Sequence, residues 1–334
     1  MTWRDVVLLG VGGFGQTWRA AISASGMRVA ALIDTDREAL EVARQVFRTP
    51  RDRCFPSLAA WEGSADVLID STPPMQRADR IAAIADRARR FVLAKPAAWT
   101  AQEARAIDRA VSEKSGMAFV AMQKRFLPAF IALQRQVREG RIGRPGYLRL
   151  DVEVDGTFWA PGWAWRREMA FPSLWEGMVH QLDLALEWLP DFRAVEVSAQ
   201  AWNPRWSPFP GQADVSALLR GEEGEVIQIL SRWSRLRGPF RTYFSGVCLE
   251  GTSGVLEVID GKLFRDQHYQ QVDDDGGAMM DLEKLNERLV DHLIRDEDAV
   301  TLGLGRHGRV LALLMAVEQS IKDGRTVRVA DDGA

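Results

Sequence analysis

Residues 8–18 read LLGVGGFGQTW, with four glycines among the six positions 10–15. The apolar run Val6–Leu9 precedes them, and Gln16–Ala24, which has helical spacing, follows. Glycine permits a tight turn and leaves the backbone open to close approach. Gly10, Gly12 and Gly15 form G-x-G-x-x-G between a strand signal and a helix signal. In that setting the first glycine turns the chain, the second lets a pyrophosphate touch backbone, and the third lets helix and strand pack closely. The next strand signal, Arg28–Ile33, ends at Asp34, at the separation where a carboxylate grips a ribose. The expected cofactor is NAD, because a carboxylate there repels the added phosphate of NADP; Arg37 nearby leaves NADP possible. Asp36 can cap the helix that follows, so Asp34 is not needed for that task.

Working outward, short apolar runs recur at Val67–Ile69, Phe91–Ala94 and Met117–Ala121. Runs of this kind suit a parallel sheet buried on both faces. Between the strand signals lie helical patterns at Asp36–Phe47, Met75–Ala88 and Thr100–Lys114, the last opened by a Thr100–Glu103 capping box. This alternation predicts a Rossmann-type doubly wound parallel sheet, an α/β domain over 1–122. The pattern then changes. YLRLDVEVD sets Leu148, Leu150, Val152 and Val154 on one face and Arg149, Asp151, Glu153 and Asp155 on the other, a period of two. Further strands lie around the Gly221–Gly224 turn and the Asp260–Gly261 hairpin signal. The expectation for 123–334 is an α+β domain, with an open, mostly antiparallel sheet flanked by helices, that binds substrate and mediates oligomerisation.

Composition narrows the partners. The chain has 334 residues, 46% of them apolar, and a net charge of -3, which suits a soluble protein of two domains. No basic field marks a nucleic-acid surface, and no apolar run reaches membrane-spanning length. Cys54 and Cys248 stand far apart without metal-ligand spacing, so no metal site is expected and a reducing cytoplasm fits. Twelve tryptophans against three tyrosines is unusual, and several crowd into 159–206. Trp159, Trp163, Trp165 and Trp175, with Arg166 and Arg167, could stack on sugar faces and clamp hydroxyls, or pack a sheet or subunit contact. Lys95, before Pro96 at the end of a strand signal, stands at the edge where such sheets bind ligands. Glu176, His180 and Asp183 recur at i, i+4 and i+7, so one helix face presents all three. The stripe Leu174, Val179, Leu182, Leu186 and Leu189 would bind that helix to the core. His268, His292 and His307 read as surface residues.

The opening motif, STPP at 71–74, AKP at 94–96, QKRFLP at 123–128, EGMVHQLD at 176–183, EGTSGVLEV at 250–258 and AVEQSIKDGRTVRV at 316–329 together resemble the Gfo/Idh/MocA oxidoreductases. The resemblance runs nearly the whole chain, in order. It implies an NAD(P)-dependent dehydrogenase acting on a carbinol carbon of a sugar, polyol, inositol or related cyclic alcohol, as a cytoplasmic homodimer or homotetramer. By the same resemblance Gly10, Gly12, Gly13, Phe14, Gly15, Asp34, Arg37, Ser71, Thr72, Pro73 and Lys95 would hold the cofactor. His180 would be the base, Glu176 would orient it, Lys95 would polarise the reacting oxygen, and Asp183, Arg125, Trp165 and Arg166 would contact the substrate. AKP replaces the usual EKP, PSLW at 172–175 stands where glycines are common, Glu176 replaces Asp, and Arg77 stands where a His often follows the TPP turn. An NAD-retaining glycosidase or epimerase, a dihydrodiol or imine-type reductase, and a silent NAD-binding sensor are the alternatives.

Overall fold

The computed structural model describes residues 3–156, 168–235, 244–272, 281–295 and 299–329. The chain forms two compact units, Met1–Phe126 with Asp281–Arg309, and Leu127–Met280 with Val310–Ala334. A single cut at 122 therefore does not describe the division, because 281–309 returns to the first unit. The reason lies in contacts that no local pattern encodes. Asn286 donates to the Thr17 carbonyl and hydroxyl at 3.2 and 2.9 Å and accepts from Gln123 at 3.0 Å. Phe119 also makes an isolated bridge with Gly303.

In the first unit six parallel strands, β1 (Asp5–Leu9), β2 (Arg28–Ile33), β3 (Cys54–Phe55), β4 (Ala65–Asp70), β5 (Ala88–Ala94) and β6 (Met117–Ala121), lie in the order β3-β2-β1-β4-β5-β6. Val6, Val7 and Leu8 are buried, as a strand covered on both faces requires. β1 and β4 are neighbours, with Leu9 beside Asp70, so the chain order reverses where Gly10 and Ser71 leave the sheet. Open α/β sheets bind ligands at such a switch point. The expected helices are present with shifts. Gln16–Ala24 is interrupted, as Gly13–Gln16 and Arg19–Ser25, and Met75–Ala88 shrinks to Arg77–Ala82: Gln76 has a left-handed φ of 54° that delays the start, and turns lead from Ala83 into β5 at Ala88. Thr100 caps Ala101–Ser112 by accepting from Glu103 N–H at 3.1 Å, while the Glu103 carboxylate reaches Trp99 N–H at 2.9 Å.

The second unit is a nine-stranded sheet built from β7 (Pro145–Glu153), β8 (Ala194–Trp202), β9 (Asp214–Gly221), β10 (Val226–Arg232), β11 (Phe244–Gly251), β12 (Gly254–Ile259), β13 (Lys262–Arg265), β14 (His268–Gln270) and β15 (Val327–Arg328). Their order is β14-β13-β12-β11-β7-β10-β9-β8-β15, antiparallel except for the central β10–β7 pair. Leu148, Leu150, Val152 and Val154 are buried, as their period of two requires. The β12–β13 turn has φ of 50° at Asp260 and 77° at Gly261, the two positive values a type I′ hairpin needs. Phe130 of helix Pro128–Arg138 packs edge-on against Trp188 and Phe244, at ring-centroid distances of 5.2 and 4.8 Å.

Candidate active site

At the switch point the glycine loop is shaped by what a side chain would meet. Gly10 has φ of 79°, and a Cβ there would come within 2.9 Å of Thr72. A Cβ on Gly15 would lie 2.1 Å from the Gly10 carbonyl oxygen, so only glycine lets the helix approach. At Gly12 and Gly13 a Cβ would meet nothing within 4 Å. The first and third glycines of the motif thus serve the fold, whereas Gly12 and Gly13 border open space. Asp34 follows β2, and its carboxylate accepts from Val11 N–H at 2.7 Å and Asp36 N–H at 3.0 Å. Asp36 caps helix Arg37–Val46 by accepting from the N–H groups of Glu38 and Ala39, and Arg37 is exposed in its first turn. Phe14 stacks edge-on with Trp18, whose indole N–H donates to the Ser71 hydroxyl at 3.0 Å. Thr72 donates to Asp70 from its N–H at 2.8 Å and its hydroxyl at 2.5 Å, and Arg80 holds the Thr72 hydroxyl and the Pro73 carbonyl. An open cradle over Gly12 and Gly13, with an oriented carboxylate beside it, fits a dinucleotide: pyrophosphate over the glycines and ribose at Asp34.

Lys95 follows β5, is half-buried, and is joined to Pro96 by a cis peptide bond. Because Ala94 pairs with Ala121, the segment after β6 emerges beside it. That segment carries Lys124, which is 5% exposed. Burial, then the charge of Lys95, pushes the Lys124 amine down to about 7. Near neutral pH this amine is thus charged only part of the time. Arg125 donates to the Thr301 hydroxyl at 3.1 Å. Two histidines depart from the surface reading. His307 is buried and its Nε2 accepts from Ala97 N–H at 3.1 Å, while His292 stacks edge-on with Phe126 at 5.2 Å. His268 is exposed as expected. Nothing in local spacing separates a buried lysine or histidine from a solvated one; the contacts come from β6 and from the returning segment.

In the second unit Glu176, His180 and Asp183 are 3%, 5% and 2% exposed. The helix is not uniform: Leu174–Met178 is a π-turn that passes into the α-helix Val179–Trp188. Glu176 therefore sits on the π-turn instead of one regular turn before His180. At the start of this turn the Ser231 hydroxyl of β10 donates to the Ser173 carbonyl at 3.2 Å. A Cβ on Gly177 would lie 2.8 Å from the Ser231 Oγ, so glycine allows the approach. Gln181 donates to the carbonyls of Leu150 and Leu230 at 2.8 and 2.9 Å, fixing the helix over the β7–β10 pair. The stripe Leu174, Val179, Leu182, Leu186 and Leu189 is buried. The Trp175 indole N–H donates to Glu318 at 2.9 Å. Trp159, Trp163, Trp165, Arg166 and Arg167 lie outside the described residues.

Residues 4–122 match a family described as an oxidoreductase family with an NAD-binding Rossmann fold, and residues 130–257 match the GFO/IDH/MocA C-terminal domain. A levoglucosan dehydrogenase of Pseudarthrobacter phenanthrenivorans is 28% identical over 50% of this chain and 45% of its own. An inositol 2-dehydrogenase of Acidothermus cellulolyticus is 30% identical over 58% of this chain and 55% of its own. The alignments span about half the length of both curated relatives. An oxidoreductase from Agrobacterium radiobacter, solved with NAD+, L-tartaric acid and magnesium, superposes with a TM-score of 0.82 at 18% identity, covering 98% of this chain and 99% of that one.

The two kinds of glycine predict opposite variants. Gly12→Ala should fold with an unchanged unfolding temperature yet weaken NADH binding at least roughly tenfold, about 1.4 kcal/mol by calorimetry. Gly15→Ala should lower the unfolding temperature instead, because its methyl meets the Gly10 carbonyl. Lys124 yields a pH-dependent prediction. In the unfolded chain its amine returns to 10.5, so between about 7 and 10.5 only the unfolded state binds the proton. Lys124 thus costs stability at and below pH 7, and the cost fades toward pH 10.5. Lys124→Met should raise the unfolding temperature at pH 7 by roughly a few degrees. In thermal scans the gain should shrink as pH rises through that window.

Proposed function

The chain belongs to the Gfo/Idh/MocA oxidoreductases, and from that premise we propose that it moves a hydride between NAD(H) and a carbinol carbon of a cyclic polyol or sugar. The observation that carries this reading is the burial of Glu176, His180 and Asp183 together on one helix. Burying three ionisable groups is costly for a helix that only packs, and such groups cluster at functional sites. Bound NAD would supply the hydride acceptor. His180 takes the hydroxyl proton as general base. Glu176 orients its imidazole and favours the imidazolium that forms. Lys95 polarises the reacting oxygen, and Asp183 accepts from a neighbouring hydroxyl, with Arg125, Trp165 and Arg166 as further substrate contacts. Run in reverse, the same groups reduce a ketone. Levoglucosan and inositol dehydrogenases among the relatives support a ring alcohol as substrate class. In this reading the chain acts as a cytoplasmic homo-oligomer, a dimer or tetramer. Among the described residues no helix is long and apolar enough to cross a membrane.

The test is a screen of inositols, levoglucosan, aldoses and sugar acids with NAD+, read as NADH absorbance. Turnover of at least one ring alcohol is expected, and Asp34 should favour NAD+ over NADP+ by at least roughly tenfold. Lys95→Met and His180→Ala should each lower turnover by roughly 10²- to 10⁴-fold while NADH still binds. Near-normal turnover in His180→Ala would remove it as the base.

A further inference from the structure

One side chain is bonded to both loops that leave the sheet at β4 and β5. Arg77 begins helix Arg77–Ala82 and is 1% exposed. Its Nε donates to Asp70 Oδ2 at 3.0 Å, and its Nη2 donates to the Thr72 carbonyl. Its Nη1 donates to the carbonyls of Ala94, Pro96 and Ala97, at 2.8, 2.8 and 3.1 Å. These carbonyls lie before and after Lys95 in the chain. Ala97 is held again through its N–H, which donates to His307 Nε2.

Stability alone is a poor account of this arrangement. A buried ion pair is often no better for stability than apolar groups of the same volume, because desolvating both charges offsets their attraction. What a guanidinium adds is direction: a planar fork of five donors in fixed geometry. Here the Asp70 carboxylate balances its charge, Nη2 falls on the Thr72 carbonyl of the cofactor loop, and Nη1 falls on main-chain oxygens flanking a single lysine. We propose that Arg77 is a positioning residue for Lys95: by holding carbonyls on both sides of it, Arg77 sets where the Lys95 ammonium stands and couples that position to the cofactor loop at Thr72. The proposal rests on the reading of Lys95 as the group that polarises the reacting oxygen. A displacement of about 1 Å in such a group can lower turnover by about 10²-fold.

The test uses the whole 334-residue chain with saturating NADH and lysines labelled with 13C at Cε, the Lys95 signal being assigned by its loss in Lys95→Met. Arg77→Met should move the Lys95 signal toward those of exposed Lys114 and Lys262 and leave these two in place. Arg77→Lys should move it less, since an ammonium keeps the charge beside Asp70 but does not reproduce the fork. With the ring alcohol turned over fastest in the screen, kcat of Arg77→Met should fall roughly 10- to 100-fold at nearly unchanged KM. A stationary Lys95 signal in folded Arg77→Met overturns the proposal, and so does equal movement of every lysine signal, which marks general loss of structure. If Arg77→Met does not fold, Arg77→Lys is judged by the same two criteria. Should the signal move while Lys95→Met turns over normally, the positioning stands and the catalytic reading of Lys95 falls.

Discussion

The carboxylate of Asp70, at the end of β4 and wholly buried, is the constraint from which the cofactor edge of the first unit follows. A buried charge must be paired and hydrogen-bonded. Asp70 meets that demand with the Thr72 N–H and hydroxyl and with the Arg77 guanidinium, Arg80 standing 3.6 Å away. Each partner then fixes something else. Thr72, held by Asp70, stands where a side chain on Gly10 would have to go. Because Leu9 and Asp70 are register partners, the turn after β1 begins beside the turn after β4. The first glycine of the motif is thus required by a neighbouring strand as well as by its own φ of 79°.

The second unit meets a different constraint, that of bringing polar groups inside without leaving backbone unsatisfied. Its site helix crosses the one parallel pair of an otherwise antiparallel sheet. There Gln181 reaches a carbonyl on each of the two strands, and Ser231 reaches up to the Ser173 carbonyl. These bonds and the bare Cα of Gly177 hold the π-turn against β10. Glu176 is carried on that turn, so its placement relative to His180 is set by the sheet beneath and not by helical spacing alone.

Electrostatics in the first unit follow from the same packing. Parallel pairing of β5 and β6 delivers Lys95 and Lys124 to adjacent positions on one edge, and burial of Lys124 lowers its amine toward neutrality. Two like charges beside one another at the ligand edge are more easily accommodated when one of them is readily neutralised.

Local features of this protein were legible in its sequence because their physics is local. The glycine spacing, the apolar runs of the parallel sheet, the cap at Asp36, the alternation in β7 and the Asp260–Gly261 turn each depend on neighbouring residues, and each appears where expected. The candidate residues Asp34, Lys95, Glu176, His180 and Asp183 were legible as residue types in a pattern, and all five lie within the segments 4–122 and 130–257 that match the two family domains. What only the tertiary structure decided depends on segments far apart in the chain. These include the return of 281–309 to the first unit, the parallel β7–β10 pair, the π-turn, the burial of Lys124 and His307, and the bonds of Arg77 around Lys95. A lysine or arginine reads the same in sequence whether solvated or enclosed; its environment is set by the strands that fold over it.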